Sequence, residues 1–191
     1  MDSGMNRDQV ILGMQISLDG FAARPDGSLD WVFSHFRPDL LEAVIANLSR
    51  LDTVVIGRRN YQEQASHWPN ESGPIADIMN SVEKVVFSKT LRPEDLTWQN
   101  SRLAENSPAE EISRLRAEGR TIGVPGGASF AGALAAEGLI DRYNLAIHPV
   151  VLGEGIPLFT SDAFLDLVES QSFSSGVVFN VYRPAEERAV A

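Results

Sequence analysis

Apolar and polar positions along the chain follow two rhythms. Val10-Ile11-Leu12-Gly13-Met14-Gln15-Ile16 is a near-continuous apolar run of strand length, the mark of a strand covered on both faces. From Asp39 to Leu51 the rhythm changes. Leu40, Leu41, Val44, Ile45 and Leu48 recur at helical spacing behind Pro38, a residue suited to a first helical turn. Thr53-Val54-Val55-Ile56 predicts a short β-branched strand ending at Gly57, with a helix starting at once at Arg58. Lys84 to Ser88 predicts another strand, and Pro108 to Glu118 a helix with Ser107 as its N-cap and Gly119 as its stop. Thr121 to Val124 predicts a strand, after which Gly126-Gly127 opens a helix reaching Glu137. Tyr143–Leu152, Leu165–Phe173 and Val177–Arg183 predict three more strands, the last two joined by a hairpin-type turn at Ser174-Ser175-Gly176.

Strands and helices thus alternate before an antiparallel tail. The pattern predicts an α/β fold: a mixed, mostly parallel sheet with helices on both faces and a C-terminal antiparallel hairpin. The expected organisation is one domain over residues 10–184, between a flexible extension at 1–9 and a tail at 185–191. In such sheets ligands bind beyond the carboxyl ends of the strands. The strand-to-loop junctions are therefore the places to look for chemistry.

Composition narrows the partners. The chain has 191 residues, 43% of them hydrophobic and 22% charged, a balance suited to a globular domain with a substantial core. No apolar run approaches the ~20 residues that span a bilayer, and the first eight residues lack the basic-then-apolar order of a signal peptide. The absence of cysteine excludes disulfides, thiolate metal sites and a cysteine nucleophile, and it fits a reducing cytoplasm. A net charge of −10 argues against nucleic-acid and anionic-membrane partners. An anionic small molecule needs only a few local donors. No histidines and carboxylates have metal-ligand spacing, so no metal is expected.

Three junctions carry such donors. At Gly57-Arg58-Arg59-Asn60-Tyr61 a strand ends in glycine and a helix opens with two arginines. Cations there oppose the helix dipole unless something negative sits nearby. Backbone N–H groups and guanidinium forks together make a phosphate seat; a solvated helix start fits the pattern equally well. At Phe87-Ser88-Lys89-Thr90 two hydroxyls and an ammonium end a strand, and a plain polar strand end is the simpler reading. Lys84 and Lys89, the chain's two lysines, flank this one apolar run. At Val124-Pro125-Gly126-Gly127-Ala128-Ser129-Phe130 paired glycines let the backbone approach a ligand before a helix N-terminus. The G-x-G-x-x-G spacing of a Rossmann site is absent. Three anion-binding junctions in one sheet suit a ligand with several phosphates, such as a dinucleotide.

Gly57 to Tyr61 resembles the Gly-Arg-x-Thr-Tyr/Trp segment of dihydrofolate reductases. Ser17-Leu18-Asp19-Gly20-Phe21-Ala22-Ala23 resembles the start of the related riboflavin-biosynthesis reductase domain. The match continues from Gly126-Gly127 to Asp141, from His148 to Phe159, and in the closing strands up to Arg183. The resemblance implies a dihydrofolate reductase-like three-layer fold and an NADPH-dependent reductase acting on a small heterocyclic or ribosylaminopyrimidine-type substrate. It further implies a homodimer. Arg58, Ser88 and Lys89 would then hold the adenosine 2′-phosphate, and Gly57, Arg59 and Asn60 would lie near the pyrophosphate. Val124 and Gly126, Gly127, Ala128, Ser129 and Phe130 would cover its other side, and Ala22 would contact the nicotinamide. Two residues depart from the dihydrofolate reductase pattern. Pro125 replaces a glycine that forms a cis peptide there, and Asn60 replaces threonine.

The acceptor side is less determined. Dihydrofolate reductases carry a pterin-binding carboxylate a few residues after a tryptophan, whereas Trp31 is followed by Val32-Phe33-Ser34-His35-Phe36. Asp19, at the end of the first strand, is the candidate to bind or protonate the substrate; a simple Asp-Gly turn is the alternative. Trp31 and Tyr61 are candidates to wall a flat substrate, as core packing also explains. His148, before Pro149, reads as structural. A dihydrofolate or pterin reductase and a non-catalytic NADP-binding protein stand as alternative functions.

Overall fold

The computed structural model describes residues 9–185. Of the extension and tail expected at 1–9 and 185–191, residues 1–8 and 186–191 lie outside the described residues. The Gln9 carbonyl, just ahead of the first strand, accepts the Ile122 N–H at 2.7 Å.

The strands are β1 (Val10–Ser17), β2 (Phe21–Ala23), β3 (Thr53–Gly57), β4 (Glu83–Phe87), β5 (Ser101–Leu103), β6 (Ile122–Pro125), β7 (Arg142–His148), β8 (Ile156–Pro157), β9 (Leu165–Ser172) and β10 (Val178–Pro184). The helices are α1 (Asp30–Phe33), α2 (Pro38–Leu48), α3 (Arg58–His67), α4 (Pro74–Ser81), α5 (Pro108–Ala117) and α6 (Ala128–Ala136). Eight strands form one sheet in the order β5-β4-β3-β6-β1-β7-β10-β9, and β2 pairs separately with β8. Pairing is parallel from β5 to β7, while β10 runs antiparallel to both β7 and β9. This is the mixed α/β sheet with an antiparallel C-terminal hairpin that the apolar pattern predicts.

Strand alternation sorts the core into layers. Leu12, Val55, Val85 and Val124 face Ile112, Leu115 and Leu134 of α5 and α6. On the other face Ile56 and Val86 meet Tyr61 of α3 and Met79 of α4, together with Trp98. Leu40 of α2 packs on Ala146, Phe173 and Val177. Thr53 to Ile56 are all buried because helices cover both faces of β3.

Some boundaries differ from the predicted ones. β7 stops at His148, where Pro149 offers no N–H to continue the ladder. The α2 helix ends at Leu48, and the Ser49 hydroxyl donates back to the Ile45 carbonyl at 2.8 Å. The short elements β2, β5, β8, α1 and α4 lack a periodic signal long enough to declare them. Lys84 is fully buried; its Nζ donates to the carbonyls of Val82 (2.8 Å) and Asn80 (3.2 Å) and lies 4.3 Å from the Trp98 ring centroid. Burial pushes its ammonium down to about 8.

Candidate functional site

Parallel register brings five strand ends to one edge. Gly57 pairs with Phe87, Gly13 with Pro125 and Ser17 with His148. The loops after β4, β3, β6, β1 and β7 therefore leave the sheet side by side, in an order that chain position does not reveal.

On the β4–β3–β6 side the edge is open and cationic. The α3 helix begins directly after Gly57 with no side-chain cap, and α6 begins after Gly127 with none. The two helix starts touch. A Cβ placed on Gly57 would lie 3.1 Å from the Cβ of Phe130, a tight contact that glycine spares, so α6 approaches closely here. Arg58 and Lys89 are exposed, and neither has a carboxylate partner among the described residues. Arg59 pairs with Glu63 at 3.2 Å on the solvent side of α3, an exposed pair of small energetic weight. The Ser88 hydroxyl accepts the N–H groups of Thr90 (3.1 Å) and Leu91 (2.9 Å), which shapes the turn that presents Lys89. Ser129 is exposed at the start of α6, whereas the Val124 side chain is buried in the core, so its backbone alone borders the edge.

Behind this edge lies a closed set of amide contacts. Gly126 and Gly127 have φ of 75° and 73°, consecutive left-handed conformations that β-carbon-bearing residues avoid. All peptide bonds among the described residues are trans, including Pro125–Gly126. Asn60 Nδ2 donates to the Pro125 carbonyl at 2.9 Å, and Gln64 Nε2 donates to the same oxygen at 3.0 Å. Gln64 Nε2 also reaches Asn60 Oδ1 at 3.0 Å, while Trp68 Nε1 donates to Gln64 Oε1 at 3.0 Å. The Asn60 amide is thus turned under the glycine turn. Gln64 and Trp68 escape a motif search, but their spacing of four and eight residues from Asn60 places all three on one helix face.

On the β1–β7 side the edge closes on itself. Leu152 and Gly153 donate backbone N–H bonds to the two Asp19 carboxylate oxygens at 3.1 and 2.8 Å. The Ser17 hydroxyl, ahead of those two N–H groups, holds the Asp19 carboxyl down at about 2. Asp19 is therefore ionised at neutral pH and straps the turn after β1 to the loop after β7. Ala22 is buried in the main core rather than lining an opening. Tyr61 departs further from a substrate-facing position. Its ring is 1% exposed in the layer beside Trp98, and its hydroxyl accepts the Trp98 N–H at 3.1 Å. The face of α3 that meets the sheet claims this ring for the core.

Trp31 is also buried, but at the cleft end. Its ring meets the His148 ring edge-on at 5.2 Å, and His35 meets the same ring at 5.4 Å. His148 Nε2 lies 2.7 Å from Gln15 Oε1. A carboxamide oxygen only accepts, so Nε2 carries the hydrogen and Nδ1 the lone pair. Nδ1 is buried without a partner, which disfavours a second proton there. Burial, reinforced by His35, pushes the imidazole down to about 4. Gly13 lies on the Gln15 face of β1. It is exposed in mid-strand, and a Cβ there would meet nothing within 4 Å. The edge therefore has an uncharged floor at Gly13 and Gln15 beside its cationic half.

Sequence and fold comparisons agree with this architecture. The family described as RibD C-terminal domain matches residues 8–179. The chain is 32% identical to the uncharacterized protein YyaP of Bacillus subtilis (strain 168), over 95% of this chain and 98% of that protein. It is 26% identical to the riboflavin biosynthesis protein RibD of Corynebacterium ammoniagenes, over 80% of this chain but 46% of that longer protein. Among solved structures, a putative riboflavin biosynthesis protein from Shewanella sp. PV-4 superposes with a TM-score of 0.77 at 24% identity, covering 93% of this chain and 99% of that one. No helix among the described residues is long and apolar enough to cross a membrane. With its sheet order, its open strand edge and a family match running from residue 8 to residue 179, the chain belongs to the RibD C-terminal domain family.

Proposed function

We propose that this protein is a cytoplasmic, homodimeric, NADPH-dependent reductase of a small heterocyclic or ribosylaminopyrimidine-type substrate, of the riboflavin-biosynthesis reductase kind. The observation that carries the reading is the meeting of two uncapped helix N-termini, α3 and α6, beside Arg58 and Lys89, cations with no carboxylate partner among the described residues. Unsatisfied N–H groups and such cations at one edge are a donor set for a polyphosphate ligand. The glycines fit it too, because both hold a φ near 75° that residues with a Cβ avoid, and a Cβ at 127 would meet Asn60 at 3.0 Å.

In this reading Arg58, Ser88 and Lys89 hold the 2′-phosphate, which favours NADPH over NADH. The N–H groups at the starts of α3 and α6, with Arg59, face the pyrophosphate. The cofactor supplies a hydride. The protein supplies the rest: Asp19 fixes the loops beside β1 and β7, and the floor at Gly13 and Gln15 receives the acceptor. A carboxylate held near 2 contributes fixed negative charge rather than a proton at neutral pH. The homodimer rests on β9, an edge strand exposed at every position after Leu165, with Leu167 and Val168 apolar and open and Phe164 78% exposed just before it.

Titration of the purified protein with NADPH and NADH, followed by ligand fluorescence, tests the cofactor. Tight NADPH binding that collapses in Arg58→Ala is the expected result. Failure of both nucleotides to bind at millimolar concentration overturns the reading.

A further inference from the structure

The Asn60 amide was expected at the pyrophosphate, yet both of its polar atoms are engaged within the protein. Two amide nitrogens converge on the Pro125 carbonyl, at 2.9 and 3.0 Å, and so use both of its lone pairs. That carbonyl closes the last residue of β6, immediately before the two left-handed glycines. Its orientation fixes the peptide plane that enters the turn, and hence the directions of the N–H groups that follow it. Glycine pairs are otherwise the most conformationally free segments of a chain. The brace also lies in contact with the turn: a Cβ on Gly127 would come within 3.0 Å of Asn60 Nδ2, and one on Gly126 within 3.6 Å. Gln64 is held in turn by the Trp68 indole at 3.0 Å, which leaves its amide only one way round.

We infer that Gln64, acting with Asn60, is a positioning residue. The pair clamps the Pro125 carbonyl and so presets the Gly126–Gly127 turn and the start of α6 for a pyrophosphate. The inference rests on the cofactor reading above and adds a division of labour to it. Arg58 and Lys89 select the nucleotide by its 2′-phosphate, while the clamp serves the part that NADPH and NADH share. Preorganisation of this kind raises affinity by removing the cost of ordering the turn during binding.

The test compares NADPH and NADH binding to the wild type and to Gln64→Met, which keeps the side-chain length and loses the bonds to Pro125, Asn60 and Trp68. Trp68→Phe, which leaves the clamp donors in place, and Arg58→Ala complete the set. In Gln64→Met both nucleotides weaken by the same factor, about tenfold for the loss of these half-buried bonds, and their ratio is unchanged. The ³¹P resonances of bound NADPH move at the pyrophosphate and stay in place at the 2′-phosphate. In Arg58→Ala the ratio itself collapses. Trp68→Phe, with a smaller loss, keeps the ratio as well. Thermal melting of each variant shows that it is folded. A folded Gln64→Met with wild-type affinity for both nucleotides overturns the clamp, as does a loss confined to NADPH. A wild type that binds neither nucleotide is the separate failure of the cofactor reading, and the clamp falls with it.

Discussion

The N-terminus of α5 and those of α3 and α6 face the same difficulty and resolve it differently. Every α-helix starts with N–H groups that have no partner inside the helix. In α5 the chain supplies the partners. The Ser107 hydroxyl accepts the Glu110 N–H at 3.4 Å, and the Glu110 carboxylate accepts the Ser107 N–H at 3.1 Å and its hydroxyl at 2.7 Å. Glu110 and Glu111 in the first turn also suit the helix dipole. The starts of α3 and α6 have glycine before them, no side-chain cap and no acid, and α3 carries Arg58 and Arg59 instead. A helix start that completes itself has no need of a ligand. Two that stay open and meet each other, beside cations with no carboxylate partner among the described residues, suit an anion.

The comparison breaks most strongly if α3 is made to resemble α5. Arg58→Glu places an acid at the start of α3; the helix gains about 0.5 kcal/mol from the dipole, while NADPH affinity falls at least on the order of 100-fold. Melting temperature and fluorescence titration on the same preparation read the two opposite signs. An equal fall in both would mean that Arg58 serves the fold rather than an anion.

The closed β1–β7 end gives the next largest effect. His148 has a folded value of about 4, below the ordinary 6.5, so the unfolded chain binds more protons between those two values. Stability supplied by neutral His148 is full above pH 6.5 and is lost as pH falls through 6.5 toward 4, by up to about 3 kcal/mol. Urea unfolding of the wild type and His148→Gln at pH 7 and pH 4.5 measures the difference. A variant with the same pH slope as the wild type removes His148 from the account.

Gly127→Ala comes third. A Cβ at φ 73°, facing Asn60 at 3.0 Å, costs about 1–2 kcal/mol of stability and weakens NADPH and NADH alike. The smallest effect sharpens the contrast from the other side. Ser107→Ala removes the α5 cap for about 1 kcal/mol of stability and leaves nucleotide affinity unchanged. Any loss of affinity there would mean that α5 is coupled to the anion edge.

Much of the fold was legible because its signals are local. The apolar run of β1, the β-branched residues of β3 and the Ser107 cap announce their elements within a few residues. The open junctions were legible for the same reason: Gly57-Arg58 and Gly126-Gly127 carry their departure from ordinary helix starts in their own composition. Gln64 was legible only as a four-residue spacing from Asn60, a spacing that any exposed helix face produces. Tyr61 shows the opposite limit. As a residue type it suits a substrate wall, but the phase of α3 against the sheet turns it toward Trp98, and that phase depends on what the helix packs against. Gln15 and His148 are 133 residues apart, and nothing near either one announces the other.

By itself the sequence determined the succession of strands and helices, the glycines able to take positive φ, and the cations left at a helix start without an acid. Those properties come from backbone sterics, hydrophobic periodicity and charge within a turn or two, so neighbouring residues suffice to set them. The tertiary structure alone decided that β4, β3, β6, β1 and β7 end side by side, that two open helix starts touch through Gly57 and Phe130, and that the Asn60 amide serves the Pro125 carbonyl. Those outcomes arise when distant segments close on one another, where the packing of whole faces chooses among contacts that local chemistry leaves equivalent.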